Sequence, residues 1–252
     1  TPEDACGDVE NCKLCDLLGY MNTDLKGGED SHPNTRTSPL RMTPAVGQQD
    51  KTITNDMVVQ FGVGGSIKKE EGSDETHGNS IGYRELIENT YRGSWMIDGS
   101  NVGRRELEYM EDGDAGHRYN RELKDYLDQE ERTERLSELL TALQNHSQLA
   151  GQSRHMADFM HDLAVAAVLP KYNQRITNAL HLRNDTELET KVLESVIQDV
   201  LDQGGKVFVA GTYNPEVITN WNEIEDVVDS FGEEVQWVQS VTQCYEKLKD
   251  QV

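Results

Sequence analysis

Nowhere in the 252 residues is there an apolar run near the ~20 residues of a membrane-spanning helix, so no membrane partner is expected. The sequence lacks the common catalytic signatures too. It has no phosphate-binding GxxxxGK[ST] loop, no GxGxxG behind a strand, no GxSxG and no HExxH, and no enzyme class or cofactor is indicated. Cysteine is scarce: Cys6, Cys12 and Cys15 cluster while Cys244 is remote, which makes a poor disulfide framework and fits a cytoplasmic setting. No signal peptide or internal repeat is visible. The chain starts at Thr1 without an initiating Met, in what reads as a loop, so part of its domain is expected to precede it.

Positive charge is the other shortage. Lysine and arginine number 24 against 46 acidic residues, a net charge of −22. The acids are scattered, as in Glu106, Glu108, Glu111, Asp112 and Asp114, and are not gathered into a tail. An acidic surface spread over a whole chain keeps a protein dispersed where salt is high. Near molar salt the Debye length is only about 3 Å, which screens the self-repulsion. The composition therefore points to a salty, halophilic interior.

What is present reads as one mixed α+β domain over 1–252, with loop-rich insertions at 1–50 and 64–80. Residues 57–63 have the make-up of a short strand, and 82–89 read as a short helical lead-in. From Tyr91 to Asp98 the residues alternate as in a strand with one buried face, 110–118 look like a charged loop, and 119–145 carry helical spacing at Leu136, Leu139, Leu140 and Leu143. The run Leu163–Leu169 fits a buried strand or a helix, and Pro170 stops either. Residues 186–203 form the clearest helix, with Thr186 and Glu189 as a capping box. A strand at 206–210, a helix at about 222–231 and a last helix carrying Val235, Val238, Val241, Tyr245 and Leu248 complete the pattern.

In a chain this acidic, acid-free stretches stand out. Residues 32–49 hold Arg36 and Arg41 with hydroxyls between them and no acid. Arginine forks bind phosphate oxygens bidentately, so the pair suits an RNA backbone. A second such stretch runs from His146 to His155 and includes Gln152, Ser153 and Arg154 beside a small-residue turn; Lys68 and Lys69 form a third basic spot. Each is equally compatible with a solvated loop. Cys12-x-x-Cys15 with Cys6, and His32 as a fourth ligand, has the residue types of a zinc site, while a single CxxC fits simple packing of Cys12 and Cys15 with Leu14 and Leu18. His155 and His161 do not share a helical face, and on a strand they stand ~20 Å apart, too far for one metal.

Four blocks, in order, resemble the backbone subunit of type I CRISPR Cascade complexes, a repeat-associated mysterious protein (RAMP) family, and are closest to its I-B branch. Cys12-x-x-Cys15-Asp16-Leu17-Leu18-Gly19 is similar to the family's cysteine-containing segment. Arg36-Thr37-Ser38-Pro39-Leu40-Arg41-Met42-Thr43-Pro44-Ala45-Val46-Gly47 is similar to its SPLRVSPA block. Tyr91-Arg92-Gly93-Ser94-Trp95-Met96-Ile97-Asp98, continuing to Val102-Gly103, resembles its strand ending in D.S.VG. Leu149-Ala150-Gly151-Gln152-Ser153-Arg154 is similar to its glycine-lysine turn, here without the lysine.

The resemblance implies a ferredoxin-like (RRM-like) palm with inserted finger and thumb lobes, and 184–252 as the palm's C-terminal helix-strand-helix part. It implies a non-catalytic subunit for antiviral defence. Copies of that subunit polymerise along crRNA, beside other Cascade subunits, and hold it for pairing with target DNA. Two other readings stay open. One is an RNA-processing RAMP endoribonuclease using His155 or His161 as acid-base; the other is a zinc-stabilised halophilic assembly protein without nucleic acid.

Overall fold

The structure, a computed structural model, describes residues 7–21, 35–60, 80–113, 116–145, 161–171 and 173–252. The first described stretches form helix α1 (Lys13–Leu18) and strands β1 (Tyr20–Met21), β2 (Thr35–Arg36), β3 (Leu40–Met42), β4 (Val46–Gly47), β5 (Thr54–Gln60), β6 (Ser80–Leu86), β7 (Tyr91–Arg92) and β8 (Trp95–Ile97). Strands β9 (Arg104–Gly113) and β10 (Gly116–Asp125) follow, then helix α2 (Gln129–Gln144) and strand β11 (Leu163–Val168). The last third holds β12 (Leu182–Arg183), β13 (Glu187–Leu188), α3 (Thr190–Asp202), β14 (Lys206–Gly211), α4 (Trp221–Ser230), β15 (Val235–Val238) and α5 (Val241–Lys249).

The core is built on a three-stranded sheet in the order β11-β14-β15, antiparallel between the first pair and parallel between the second. Period two divides its side chains between two apolar clusters. Leu163, Val165, Ala167, Val207, Val209 and Val235 join α3 and α4 on one face. Ala164, Ala166, Val168, Phe208, Ala210 and Val238 join α2 and α5 on the other. A strand covered on both faces needs apolar residues at every position, which is why Leu163–Val168 is a continuous apolar run and not an alternating one. The α+β class is as expected.

Several local expectations are corrected. Residues 82–89 are not helical: Gly82 to Leu86 belong to β6, paired with β5. Residues 110–113 and 116–118 of the expected loop, and the first part of the expected 119–145 helix, belong instead to a ten-pair hairpin, β9 with β10. Its register runs from Arg104 opposite Asp125 to Gly113 opposite Gly116. The helix begins only at Gln129, where Asp128 caps it by accepting the Glu131 N–H at 2.9 Å.

The capping box at Thr186 and Glu189 does not form: α3 starts at Thr190 without a side-chain cap. The Thr186 carbonyl accepts the Thr219 N–H at 2.9 Å instead. Asn184 and Asp185, both left-handed at φ 52° and 66°, turn β12 into β13 ahead of the helix. The last helix is shorter than expected as well, because Val235 and Val238 lie in β15.

Residues 40–60 and 80–97 form one antiparallel ribbon in three ladders, β3 with β8, β4 with β7 and β5 with β6. Between the first two ladders, three residues (43–45) oppose two (93–94); between the next two, six (48–53) oppose four (87–90). The expected strand from Tyr91 to Asp98 is therefore split at Gly93-Ser94 by a bulge.

Cys244 is 2% exposed in the second cluster, and burial pushes its thiol up to about 11; burial also pushes the neighbouring Tyr245 phenol upward. Both groups are held neutral in the folded chain. The Cys244 contribution is complete below its unfolded value of about 9 and is lost as pH rises through about 11. The urea midpoint is expected to hold steady to about pH 8.5 and then to fall, with a loss on the order of 2–3 kcal/mol from this thiol. Mass mapping after native iodoacetamide treatment should leave Cys244 unmodified. Its rapid alkylation in the folded state would contradict this burial.

Candidate functional site

Three of the sequence blocks meet at the base of the ribbon, around a carboxylate. Asp16, on α1, is completely buried, and the side chains of Arg36 and Arg135 beside it are only 6% and 7% exposed. Arg36 Nη2 pairs with Asp16 Oδ1, and Arg135 Nη1 donates to Oδ2 at 2.9 Å. The Gly103 N–H lies 3.0 Å from both carboxylate oxygens. A buried carboxylate with two guanidinium partners and a backbone donor has its lone pairs satisfied, which makes the burial tolerable.

Both arginines also hold backbone. Arg36 donates to the carbonyls of Asp16 (3.0 Å), Asn101 (2.8 Å) and Arg104. Arg135 donates to the carbonyls of Val9 (2.7 Å) and Glu10. Burial pulls the Arg36 pKa below the ordinary arginine value, and the Asp16 carboxylate acts in the opposite direction. Arg132 grips the same loop from α2, donating to Val102 O at 2.8 Å and to Gly99 O at 3.2 Å. Within that loop Asp98 accepts from Ser100 Oγ at 2.6 Å and from Asn101 Nδ2 at 2.7 Å.

Gly103 has φ +68°, and a Cβ there would stand 2.8 Å from Leu127 Cβ, so only glycine fits the turn into β9. Ser38 ties the second block to the first, its hydroxyl 2.9 Å from Leu17 O. These contacts join the segments 12–19, 36–42 and 95–103 to α2.

The expected site residues separate into three groups. Arg36 is turned inward and engages the protein itself, with four of its hydrogen bonds on Asp16 and the 101–104 backbone. Arg41 is exposed on β3, opposite Met96. Lys68, Lys69, Gln152, Ser153, Arg154 and His155 lie outside the described residues, as do Cys6 and His32 of the zinc reading.

Leu14 and Leu18, the expected packing partners of the two cysteines, are themselves 69% and 53% exposed. Cys15 points into the core, and the Cys12 sulfur caps α1 by accepting the Cys15 N–H at 3.4 Å. Among the described residues no group of three or more His, Cys, Asp or Glu is placed to hold a metal ion. His161 packs edge-on against Trp95 (centroids 5.1 Å apart) and near Tyr245 (6.2 Å), an aromatic nest in the second cluster.

Asp16, Arg132, Arg135 and Arg92 were missed as key residues. In the sequence Asp16 is one residue of the Cys12–Gly19 block. Arg132 and Arg135 sit on a helix rich in charge, and the signal for Arg135 was its place next to Leu136 on the apolar face. No helix of the described residues is long and apolar enough to cross a membrane.

Comparison with known proteins adds the family. No curated protein matches the sequence. Two solved structures share the fold at low identity. A chain of a "CRISPR RNA-guided surveillance complex, pre-nicking" has a TM-score of 0.58 at 11% identity, covering 96% of this chain and 56% of its own length. A chain of a "CRISPR RNA-guided surveillance complex" has a TM-score of 0.52 at 12% identity, covering 99% of this chain and 82% of its own. This chain thus spans little more than half the length of the first. The family model described as "CRISPR-associated negative auto-regulator DevR/Csa2" matches residues 1–192, which include the whole Asp16 cluster and ribbon, and the chain belongs to that CRISPR-associated family.

Proposed function

We propose that the chain is a non-catalytic, crRNA-binding backbone subunit of a Cascade surveillance complex, closest to the I-B branch of the RAMP superfamily. The observation that carries this reading is the convergence of three family-like blocks on one buried cluster, from which the long ribbon starts. In this reading the three-stranded unit with its helices is a ferredoxin-like palm, and the two ribbons are the inserted finger and thumb lobes. Copies of the chain polymerise along the RNA in the cytoplasm, beside other Cascade subunits, and target DNA pairs with the RNA they hold. A net charge of −22 opposes an RNA partner, so contact falls to a few segregated cations and to avidity between copies on one strand. In a halophilic interior, hydrogen bonds and shape outlast simple charge attraction.

Purification from the native host at high salt, with any preceding segment restored, tests the proposal. The expected result is a bound RNA of about one spacer length with several copies of the chain. Protein free of nucleic acid in host-salt buffer would sink it. Arg41→Ala and Arg154→Ala are each expected to weaken RNA retention roughly tenfold without unfolding the protein, since a charge-assisted hydrogen bond is worth about 1.5–3 kcal/mol. Retention equal to the parent in both variants would refute this placement of the groove.

A further inference from the structure

We propose that the crevice beside Arg92, between the ribbon's first bulge and the 3-10 turn Arg175–Asn178, is an anion site that takes one phosphate group of the bound RNA strand. The choice of RNA as the phosphate's source rests on the function proposed above; the anion site itself rests on the crevice.

The crevice encloses about 160 Å³ and is lined by Thr43 and Ser94 at the bulge, Arg92 on β7, and Thr177 and Asn178 on the turn. A water in the liquid occupies ≈ 30 Å³, so the space holds about five waters, ample for a phosphate group. Among the described residues no carboxylate lines it, in a chain with 46 acids.

Arg92 is half-buried and anchored at one end only. Its Nη1 donates to Leu180 O at 3.2 Å and lies 3.3 Å from His181 Nδ1, which accepts in the appropriate neutral tautomer. Among the described residues, its Nε and Nη2 have no hydrogen-bond partner, and no carboxylate pairs with it. Arg36, Arg104, Arg135, Arg175 and Arg183 all have such a partner. A guanidinium anchored through one nitrogen keeps a planar pair of donors in fixed orientation, the geometry that meets two phosphate oxygens.

The remaining polar groups suit the same ligand. Ser94 Oγ lies 3.1 Å from Thr43 Oγ1 and can turn its proton from that oxygen to a ligand oxygen. Thr43 Oγ1 already accepts the Ser94 N–H at 2.9 Å, which fixes the bulge. Thr177 donates to Gln174 O at 2.7 Å, so it shapes the wall without donating into the crevice. Asn178 is exposed at the rim, with its amide available as a further donor.

Two measurements test the site. In the first, inorganic phosphate is titrated into the purified chain against chloride at matched ionic strength. The Arg92 Nε–Hε NMR resonance is followed, assigned by its loss in Arg92→Lys. A saturable shift with phosphate alone is expected; no shift, or the same shift with chloride, overturns the anion site.

In the second, binding of a single-stranded RNA oligonucleotide is measured against salt for the parent, Arg92→Gln and Arg92→Lys. Arg92→Gln is expected to bind about tenfold more weakly, with the salt slope reduced by about 0.7. Arg92→Lys is expected to restore the slope but not the full affinity, because it keeps charge and loses the fork. A phosphate shift with unchanged RNA binding in both variants overturns the RNA assignment. A parent chain that binds phosphate at Arg92 but no RNA refutes the proposed function and leaves the anion site standing.

Discussion

Asp16→Asn is expected to lower the unfolding free energy by about 3–5 kcal/mol, the cost typical of breaking a buried ion pair from one side. The substitution is isosteric, so packing is preserved. It leaves the Arg36 and Arg135 guanidinium groups buried with no counter-charge and turns an amide donor toward groups that are themselves donors. Against a typical total of 5–15 kcal/mol, this is a large fraction of the stability.

Two features separate this cluster from an ornamental ion pair. Added salt should change the Asp16→Asn effect little, since the cluster is buried. The exposed Lys13 pairs with Glu134 and Glu138 should contribute little and screen readily. Replacing the whole triad with apolar residues should not restore stability, although such exchanges often do elsewhere. Here the carbonyls of Val9, Glu10, Asn101 and Arg104 depend on the same two arginines and would lose their donors. Urea titration of the parent, the single and the triple variant decides the matter. A loss below ~1 kcal/mol for Asp16→Asn would refute the structural role of the cluster.

Gly19→Ala is expected to destabilise by about 3 kcal/mol, through backbone strain and collision together. Gly19 has φ +73° and ψ 176°, a region held almost only by glycine. A Cβ there would overlap Arg36 O and stand 2.8 Å from Ser38 N, both backbone atoms that cannot swing aside. The damage should spread to the Asp16 cluster, because the obstructed strand carries Arg36. Gly204, also positive in φ at +75° but with open space around its Cβ position, gives the cost of a positive φ without collision. Gly204→Ala should cost about 1 kcal/mol, the backbone share alone. Equal losses at the two positions would show that the close approach at Gly19 carries no weight.

The sequence was most legible where one kind of packing dominates. Helices α3 and α4 present apolar stripes to a single face, and their periodicity was plain. Strand β11 was ambiguous because burial on both faces erases alternation. The β9–β10 hairpin is hidden because the helical spacing of α2 extends in pattern back across Asp128, while strand pairing is a property of two segments at once. In the candidate site, the arginine at 36 was conspicuous in an acid-free stretch, yet that stretch cannot say which way the side chain turns. Its partner Asp16 lies 20 residues earlier and Arg135 nearly a hundred later, and only folding brings them together. Arg92 is inconspicuous inside an alternating strand, since the bulge that opens its crevice depends on register, a property of two strands at once.

The three-ladder ribbon has a mechanical consequence. An evenly paired two-stranded beam bends along its whole length, and a push at one end strains the other. This one is interrupted at 43–45 against 93–94 and again at 48–53 against 87–90, and side chains bridge both breaks: Thr43 with Ser94 at the first, Asn89 with the Gln48 and Gln49 backbone at the second. Its outermost ladder, β5 with β6, spans about 20 Å at the usual strand rise and extends beyond the second break. A load applied there meets these two sets of side-chain bonds before it reaches the Asp16 cluster, so the resistance of the arm is set by a few polar residues and not by an unbroken ladder.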